Sequence, residues 1–229
     1  MRNERTRAND FDRRCGAIQT RKAIELGVGD SILDIGCGVG EFTPLFLEKF
    51  KRVVGLDPSL EFLEIARKGT SGVEYIEGWG ETFKIDEKFD TISMNNLLEH
   101  VDDPVALIKN CKEHLSDGGV LIAQVPNSES VTRRLGVLMG LIDGLDNISE
   151  KEKDFYGHQR VYTIDSLVAD AVLSGFKLIE SGGLIYKPLP NIELEHLCQK
   201  NGEEWATRFL TALEEFGETR PAECAYIFI

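Results

Sequence analysis

Ile32-Leu33-Asp34-Ile35-Gly36-Cys37-Gly38-Val39-Gly40, followed by Val53-Val54-Gly55-Leu56-Asp57, decides how this chain is read. A short apolar run that breaks into alternate glycines is a strand turning sharply into the next element. Glycine there permits left-handed backbone and close approach of a ligand. The second run is another buried strand, and it ends on an acid. Working outward, further strands are expected at 72–76, 89–94, 120–125, 176–186 and 224–229, besides Ser31–Ile35 and 52–56. Helices are expected at 17–26, closed by Gly27, and from Thr43-Pro44 to about Phe50, with Thr43 as N-cap. Others run from Ser59 to Gly69, from Asp103-Pro104 with apolar Val105, Leu107, Ile108, Cys111 and Leu115, and over 131–142, 163–173 and 191–216. Strands alternating with helices imply right-handed βαβ crossovers and a parallel sheet covered on both faces. Two closing strands with no crossover helix suggest a final antiparallel edge.

Composition excludes several classes. Lys plus Arg number 26 and Asp plus Glu 39, a net charge of −13. A surface so acidic repels phosphate backbones, so neither nucleic acid nor an anionic membrane is an expected partner. The five cysteines, at 15, 37, 111, 198 and 224, form no C-x-x-C pair and no Cys/His cluster with zinc spacing. Scattered and odd in number, they fit a reducing compartment. The start, MRNERTRANDFDRR, has no apolar signal core, and no apolar run is long enough to span a bilayer. A cytoplasmic protein of one domain over 1–229 is expected, as monomer or homodimer. Residues 127–160 and 190–216 are expected as acceptor-side insertions over the carboxyl edge of the sheet, where open α/β folds bind ligands.

The ligand is read from charge. A dinucleotide would place a pyrophosphate at the glycine turn, and Asp34 would face it unfavourably; Glu41 also stands where that motif carries its third glycine. S-adenosylmethionine (SAM) carries an ammonium and a sulfonium, which suit Asp34. Asp57, 23 residues further on, is placed to accept hydrogen bonds from both ribose hydroxyls, the alternative being a helix cap behind Pro58.

The runs DIGCGVG, VVGLDPS, FDTISMNNLLEHVDDP and LSDGGVLIAQVPN, in this order, resemble class I SAM-dependent methyltransferases. They are most similar to the small-molecule branch typified by ubiquinone-biosynthesis and sugar methyltransferases. The resemblance spans 31 to about 187, and the closing CAYIFI is similar to that family's antiparallel seventh strand. It implies an α/β fold with a Rossmann-like, seven-stranded, mostly parallel sheet, antiparallel in its last strand. The sheet would form the middle of a three-layer α/β/α sandwich with lid insertions.

Carried over by position, Asp34, Gly36 and Gly38 would cradle the methionine part of SAM and Asp57 the ribose, with Cys37, Pro58 and Gly78 completing the cofactor set. Asn95 would lie near the methionyl end or the acceptor. Trp79 departs from the family's acidic or small polar residue at the adenine; its indole would stack on the base or serve packing. His100 matches a recurrent motif and is a candidate general base or a loop brace. Gly157 to Thr163 resembles the H-x-R-x-(F/Y)-T segment before the next helix, which gives His158 as a second candidate base and Arg160 and Tyr162 as acceptor contacts. Arg133 and Arg134 either bind an anionic acceptor or pair with the acidic run from Asp143 to Asp154. The expected reaction moves a methyl group to an O or N atom of a small polar metabolite or (nucleotide-)sugar, with S-adenosyl-L-homocysteine as co-product and no metal. A non-catalytic SAM-binding regulator and an NAD-dependent oxidoreductase are the other classes the sheet permits.

Overall fold

The computed structural model describes residues 10–148 and 151–229. Its order is α1 (Asp10–Leu26), β1 (Ser31–Ile35), a 3-10 turn (Thr43–Glu48), β2 (Arg52–Asp57), α2 (Leu60–Gly69), β3 (Val73–Glu77), β4 (Phe89–Asn95), α3 (Pro104–Glu113) and β5 (Leu115–Pro126). There follow α4 (Val131–Leu138), a π-turn (Lys151–Tyr156), α5 (Ile164–Leu173), β6 (Gly182–Leu184), α6 (Asn191–Asn201), α7 (Glu203–Glu218) and β7 (Tyr226–Phe228). The strands form one seven-stranded sheet in the order β3-β2-β1-β4-β5-β7-β6. β1 to β5 pair in parallel, and β7 runs antiparallel to both β5 and β6.

Successive side chains of a strand face opposite ways, and both faces here are apolar. Leu33, Ile35, Val54, Leu56 and Met94 point into a core closed by Leu107, Ile108 and Cys111 of α3 and Leu167 of α5. The intervening Ile32, Val53 and Ile122 point the other way, against Ala23 of α1 and Phe46 and Phe50. This alternation makes three layers of one sheet. A further cluster joins Phe11, Cys15 and Ile18 of α1 to Leu194 and Cys198 of α6 and Leu210 and Leu213 of α7.

Three expectations are corrected. Thr43 caps no helix: its hydroxyl donates to Asp34 Oδ2 at 2.7 Å, and the segment it opens is a 3-10 turn ending at Glu48. The sixth strand is not 176–186 but only Gly182–Leu184, because its ladder is limited to the three residues of β7 opposite it; Ile179 stays exposed and Ile185 turns to φ 62°. The helix over 191–216 is two, broken at Gly202, whose φ of 85° ends one and starts the next. The expected antiparallel last strand is present: β7 runs antiparallel between β5 and β6, with β6 at the sheet edge.

The glycines of the first turn divide their work. Gly36, Gly38 and Gly40 all have positive φ. A Cβ at Gly40 would lie 2.6 Å from Tyr75 Oη and 2.8 Å from Ala66 Cβ, whereas one at Gly38 would meet nothing within 4 Å. Gly40 therefore permits packing of α2 and β3, and Gly38 fronts open space. In urea denaturation, Gly40→Ala is expected to lose about 1–3 kcal/mol from overpacking in addition to left-handed strain. Gly38→Ala is expected to lose only the strain, about 1–2 kcal/mol; equal losses would contradict this division.

Candidate functional site

The carboxyl ends of β1 and β2 are locked together by backbone groups. Gly36 and Cys37 amides donate to the Leu56 carbonyl at 2.8 and 3.2 Å. Asp57, last residue of β2, completes the lock: Oδ2 accepts from the Gly38 amide and Oδ1 from the Ser59 amide, both at 2.9 Å. The capping of α2 itself falls to Ser59, whose hydroxyl accepts from the Phe62 amide. Each carboxylate oxygen of Asp57 has further lone-pair capacity for a ligand hydroxyl. Asp34 is buried beneath the same turn, where burial, opposed by the Thr43 hydroxyl and reinforced by Asp57, pushes its carboxyl up to about 7. A carboxylate so placed gains from a cationic ligand nearby.

Beside this turn is a cavity of about 580 Å³ bordered by Gly36, Asp57, Pro58, Gly78, Trp79 and His100. These are expected site residues. Phe62, Leu97, Val101, Leu107 and Gln159, which sequence reasoning missed, complete its apolar and polar walls. Trp79 is 67% exposed with its ring at the rim. The glycines beside it do not create that space: a Cβ at Gly80 would strike Leu107 at 2.7 Å. Asp34, Cys37, Gly38 and Asn95 do not border the cavity. Cys37 packs beside Leu63, Ala66 and Tyr75, and Asn95 ends β4 with its Oδ1 buried and without a hydrogen-bond partner among the described residues.

A second cavity, of about 620 Å³, adjoins the first and is lined by Glu99, Arg133, Glu152, His158, Arg160 and Lys187, among others. Two segments that sequence reading treated separately are stitched together between the cavities. The Gln159 amide donates to the Glu99 carbonyl at 2.8 Å, and Gln159 Nε2 reaches the His100 carbonyl at 2.7 Å and Asp102 Oδ1 at 2.9 Å. Arg160 donates to the carbonyls of Leu98, Val101 and Asp102. Residues 157–160 thus hold the turn after β4 in place, and the His100 and His158 rings meet edge to face with centroids 4.9 Å apart. His100 borders the first cavity and His158 the second.

Burial lowers the pKa of both imidazoles, His158 further through His100, so each is held neutral and able to take a proton. Glu99 is 2% exposed, and neither of its oxygens has a hydrogen-bond partner among the described residues. Its Oε1 lies 3.8 Å from His100 Nε2, and burial, opposed by its own backbone amide and by Arg160, pushes the carboxyl up to about 8.

Two expected acceptor contacts are corrected. Tyr162 is 2% exposed, sits in the main core and donates its hydroxyl to Asp170, so it cannot reach a ligand. Arg134 borders neither cavity and turns back to Glu129. Arg133 does line the second cavity; its buried Nε has no hydrogen-bond partner among the described residues, while its two Nη atoms donate to Glu152 and to the carbonyls of Leu145 and Asn147. That is the pairing with the acidic run that the sequence offered as the alternative.

Comparison with known proteins gives the family and the fold. Residues 6–181 match the family described as a methyltransferase domain. The ubiquinone biosynthesis O-methyltransferase of Actinobacillus pleuropneumoniae is 32% identical over 130 residues, 52% of this chain and 53% of that protein. The trans-aconitate 2-methyltransferase of an Azoarcus strain is 33% identical over 108 residues, 46% of this chain and 43% of that protein. The chain thus spans about half the length of these curated relatives. A crystal structure from Thermotoga maritima, described as a SAM-dependent methyltransferase and possible histamine N-methyltransferase, superposes with a TM-score of 0.65 at 26% identity, over 94% of this chain and 88% of that one.

The unpaired Glu99 has a measurable consequence. A carboxyl whose folded pKa lies above its unfolded value of about 4.3 stabilises the fold fully only below that value; the contribution is lost as pH rises towards about 8. The groups facing it are His100, His158, Arg160, Tyr162 and Tyr226. Glu99→Gln, which removes the charge at constant shape, is expected to melt near wild type at pH 5 and roughly 3–6 °C higher at pH 8. A variant less stable than wild type at pH 8 would show that the carboxylate is satisfied in solution.

Proposed function

The chain belongs to the methyltransferase-domain family, and from that premise we propose that it transfers a methyl group from SAM to an O or N atom of a small polar molecule. The observation that carries this reading is the pair of adjoining cavities, one beside the Asp57-clamped glycine turn and one beyond the two histidines. The residues present suit the cofactor. Gly38 fronts open space that a Cβ would fill, Asp57 keeps acceptor capacity for ribose hydroxyls, and Asp34 supplies negative potential for the ammonium and sulfonium. Trp79 and Val101 offer apolar surface to the adenine at the opposite wall.

When bound, SAM supplies an activated methyl group on a positively charged sulfur. The protein's own contribution is then mostly geometric. In-line displacement requires donor and acceptor to be held collinear and water to be kept out. The Gln159 and Arg160 hydrogen bonds fix the turn that carries Glu99 and His100, and hence the wall between the cavities. His158, on the acceptor side, or His100 behind it, takes the acceptor's proton where one must leave; both are held neutral for that task. The relatives' names include O- and N-methylation, and the reading spans both. Among the described residues of the acceptor cavity, Arg133 Nε is left without a partner, while Arg160 and the Nη atoms of Arg133 are already engaged by protein oxygens. This weakens the anionic acceptor that the Arg133–Arg134 pair suggests.

Calorimetric titration tests the reading. The wild-type chain is expected to bind SAM and S-adenosylhomocysteine but not NAD. Asp57→Ala is expected to weaken SAM binding about 10- to 100-fold, the loss of charge-assisted hydrogen bonds worth roughly 1.5–3 kcal/mol. NAD binding in place of SAM, or unchanged SAM affinity in the variant, would contradict it.

A further inference from the structure

The second cavity has one feature that methyl transfer in general does not require: a buried carboxylate with nothing to bind. Glu99 lines that cavity, is almost wholly enclosed, and leaves both oxygens without a hydrogen-bond partner among the described residues. The cations around it make their hydrogen bonds elsewhere, and the donor left over on Arg133, its buried Nε, does not reach Glu99. Arg160 donates to three carbonyls, Arg133 to Glu152 and two carbonyls, and the Lys187 ammonium donates to Asn191 Oδ1 at 2.6 Å while lying 5.0 Å above the Tyr226 ring. Two imidazoles flank the carboxylate, so that Glu99, His100 and His158 each bring one donor or acceptor atom to within 4.8 Å of the others. Burial keeps the Glu99 carboxyl protonated at neutral pH in the free protein, and even so its two enclosed oxygens remain polar atoms without a partner among the described residues, a costly arrangement until one arrives.

We propose that the partner is the acceptor itself, an amine, whose nitrogen is received as an ammonium by Glu99 between His100 and His158. This rests on the methyl-transfer reading and narrows it from oxygen or nitrogen to nitrogen. An ammonium is the ligand that lets this carboxyl ionise, because its charge compensates the carboxylate as it forms; a neutral hydroxyl does not, and a carboxylate or phosphate opposes it. An ammonium satisfies both charge and hydrogen bonding. For an amine this moves the role of base from the two imidazoles to Glu99, and leaves His100 and His158 to accept the remaining N–H bonds without adding positive charge.

The step balances as follows. An ammonium has no lone pair, so one N–H proton first passes to the Glu99 carboxylate, giving a neutral amine and a neutral carboxylic acid, a form that burial favours. The nitrogen lone pair then forms the N–C bond to the methyl group as the C–S bond breaks, and that bond's electron pair stays on sulfur, which becomes a neutral thioether. The product leaves as an N-methylammonium and Glu99 keeps the proton it carries in the free protein; the one proton released by the reaction is the one the carboxyl gave to solvent when the ammonium bound.

The test uses the full chain and tritium transfer from labelled SAM to n-butylamine, ethanolamine, benzylamine and 1,4-diaminobutane. Each is matched with its oxygen counterpart: 1-butanol, ethylene glycol, benzyl alcohol and 1,4-butanediol. At least one amine is expected to be methylated at least tenfold faster than its alcohol. Glu99→Gln is expected to lose that activity at least thirtyfold while binding SAM within twofold of wild type and melting no lower. Label in the alcohols at equal or greater rate, label in no amine, or an active Glu99→Gln would each overturn the proposal and leave the methyl-transfer reading standing. So would activity that is abolished by chelator and restored by a divalent metal whose binding Glu99→Gln removes, since the carboxylate would then be serving a metal ion. Failure of the wild-type chain to bind SAM is a different result: it would remove the reading on which the proposal rests.

Discussion

One carboxylate joins the parts that matter. Asp57 ends β2 and uses its two oxygens to hold the amides of Gly38 and Ser59, so the glycine turn after β1 and the entry to α2 are fixed against each other. Charge-assisted bonds to backbone N–H groups are among the stronger interactions a side chain can make. Here they keep a left-handed, glycine-rich turn open instead of letting it collapse onto the sheet. The cavity beside it exists because that turn is held. The Leu56 carbonyl, accepting from Gly36 and Cys37, ties the same turn from below.

The second half of the site depends on a different kind of bond. The turn after β4 carries Glu99 and His100, and its carbonyls at Leu98, Val101 and Asp102 are gathered by the guanidinium of Arg160. A planar guanidinium offers five donors in a fixed fork, so it can hold several carbonyls at set positions, where a lysine offers three donors on one freely rotating nitrogen. Arg160 is thus a positioning residue. It sets the wall between the cavities, and through it the relation of His100 to His158. Free energy released by the apolar cores on both sheet faces offsets the cost of keeping an unpaired acid in this wall, a common pattern where function and stability compete.

Much of this was legible in the residues. The D-x-G-x-G-x-G turn, the acid closing β2, and the helix starts at Ser59, Asp103 and Thr163 carry local signals that tertiary packing did not override. What escaped depended on partners distant in sequence. Thr43 has the right neighbour for a helix cap, but Asp34 claims its hydroxyl. The apolar 176–186 run has strand composition, yet the length of β7 limits its pairing. Tyr162 and Arg160 are two residues apart in one motif; the first is sealed in the core and the second faces a cavity. Glu99 was passed over beside His100, although an acid after Leu97-Leu98 is a sign of a buried carboxylate; that it lacks a partner is visible only in three dimensions.

The central claim is that cofactor and acceptor occupy the two cavities and meet at the histidine pair. A crystal structure of the chain with S-adenosylhomocysteine bound tests it most directly. The account places the ribose hydroxyls within hydrogen-bonding distance of Asp57 and the thioether sulfur towards the His100–His158 pair. A ribose away from Asp57, or a sulfur turned from that pair, would contradict it.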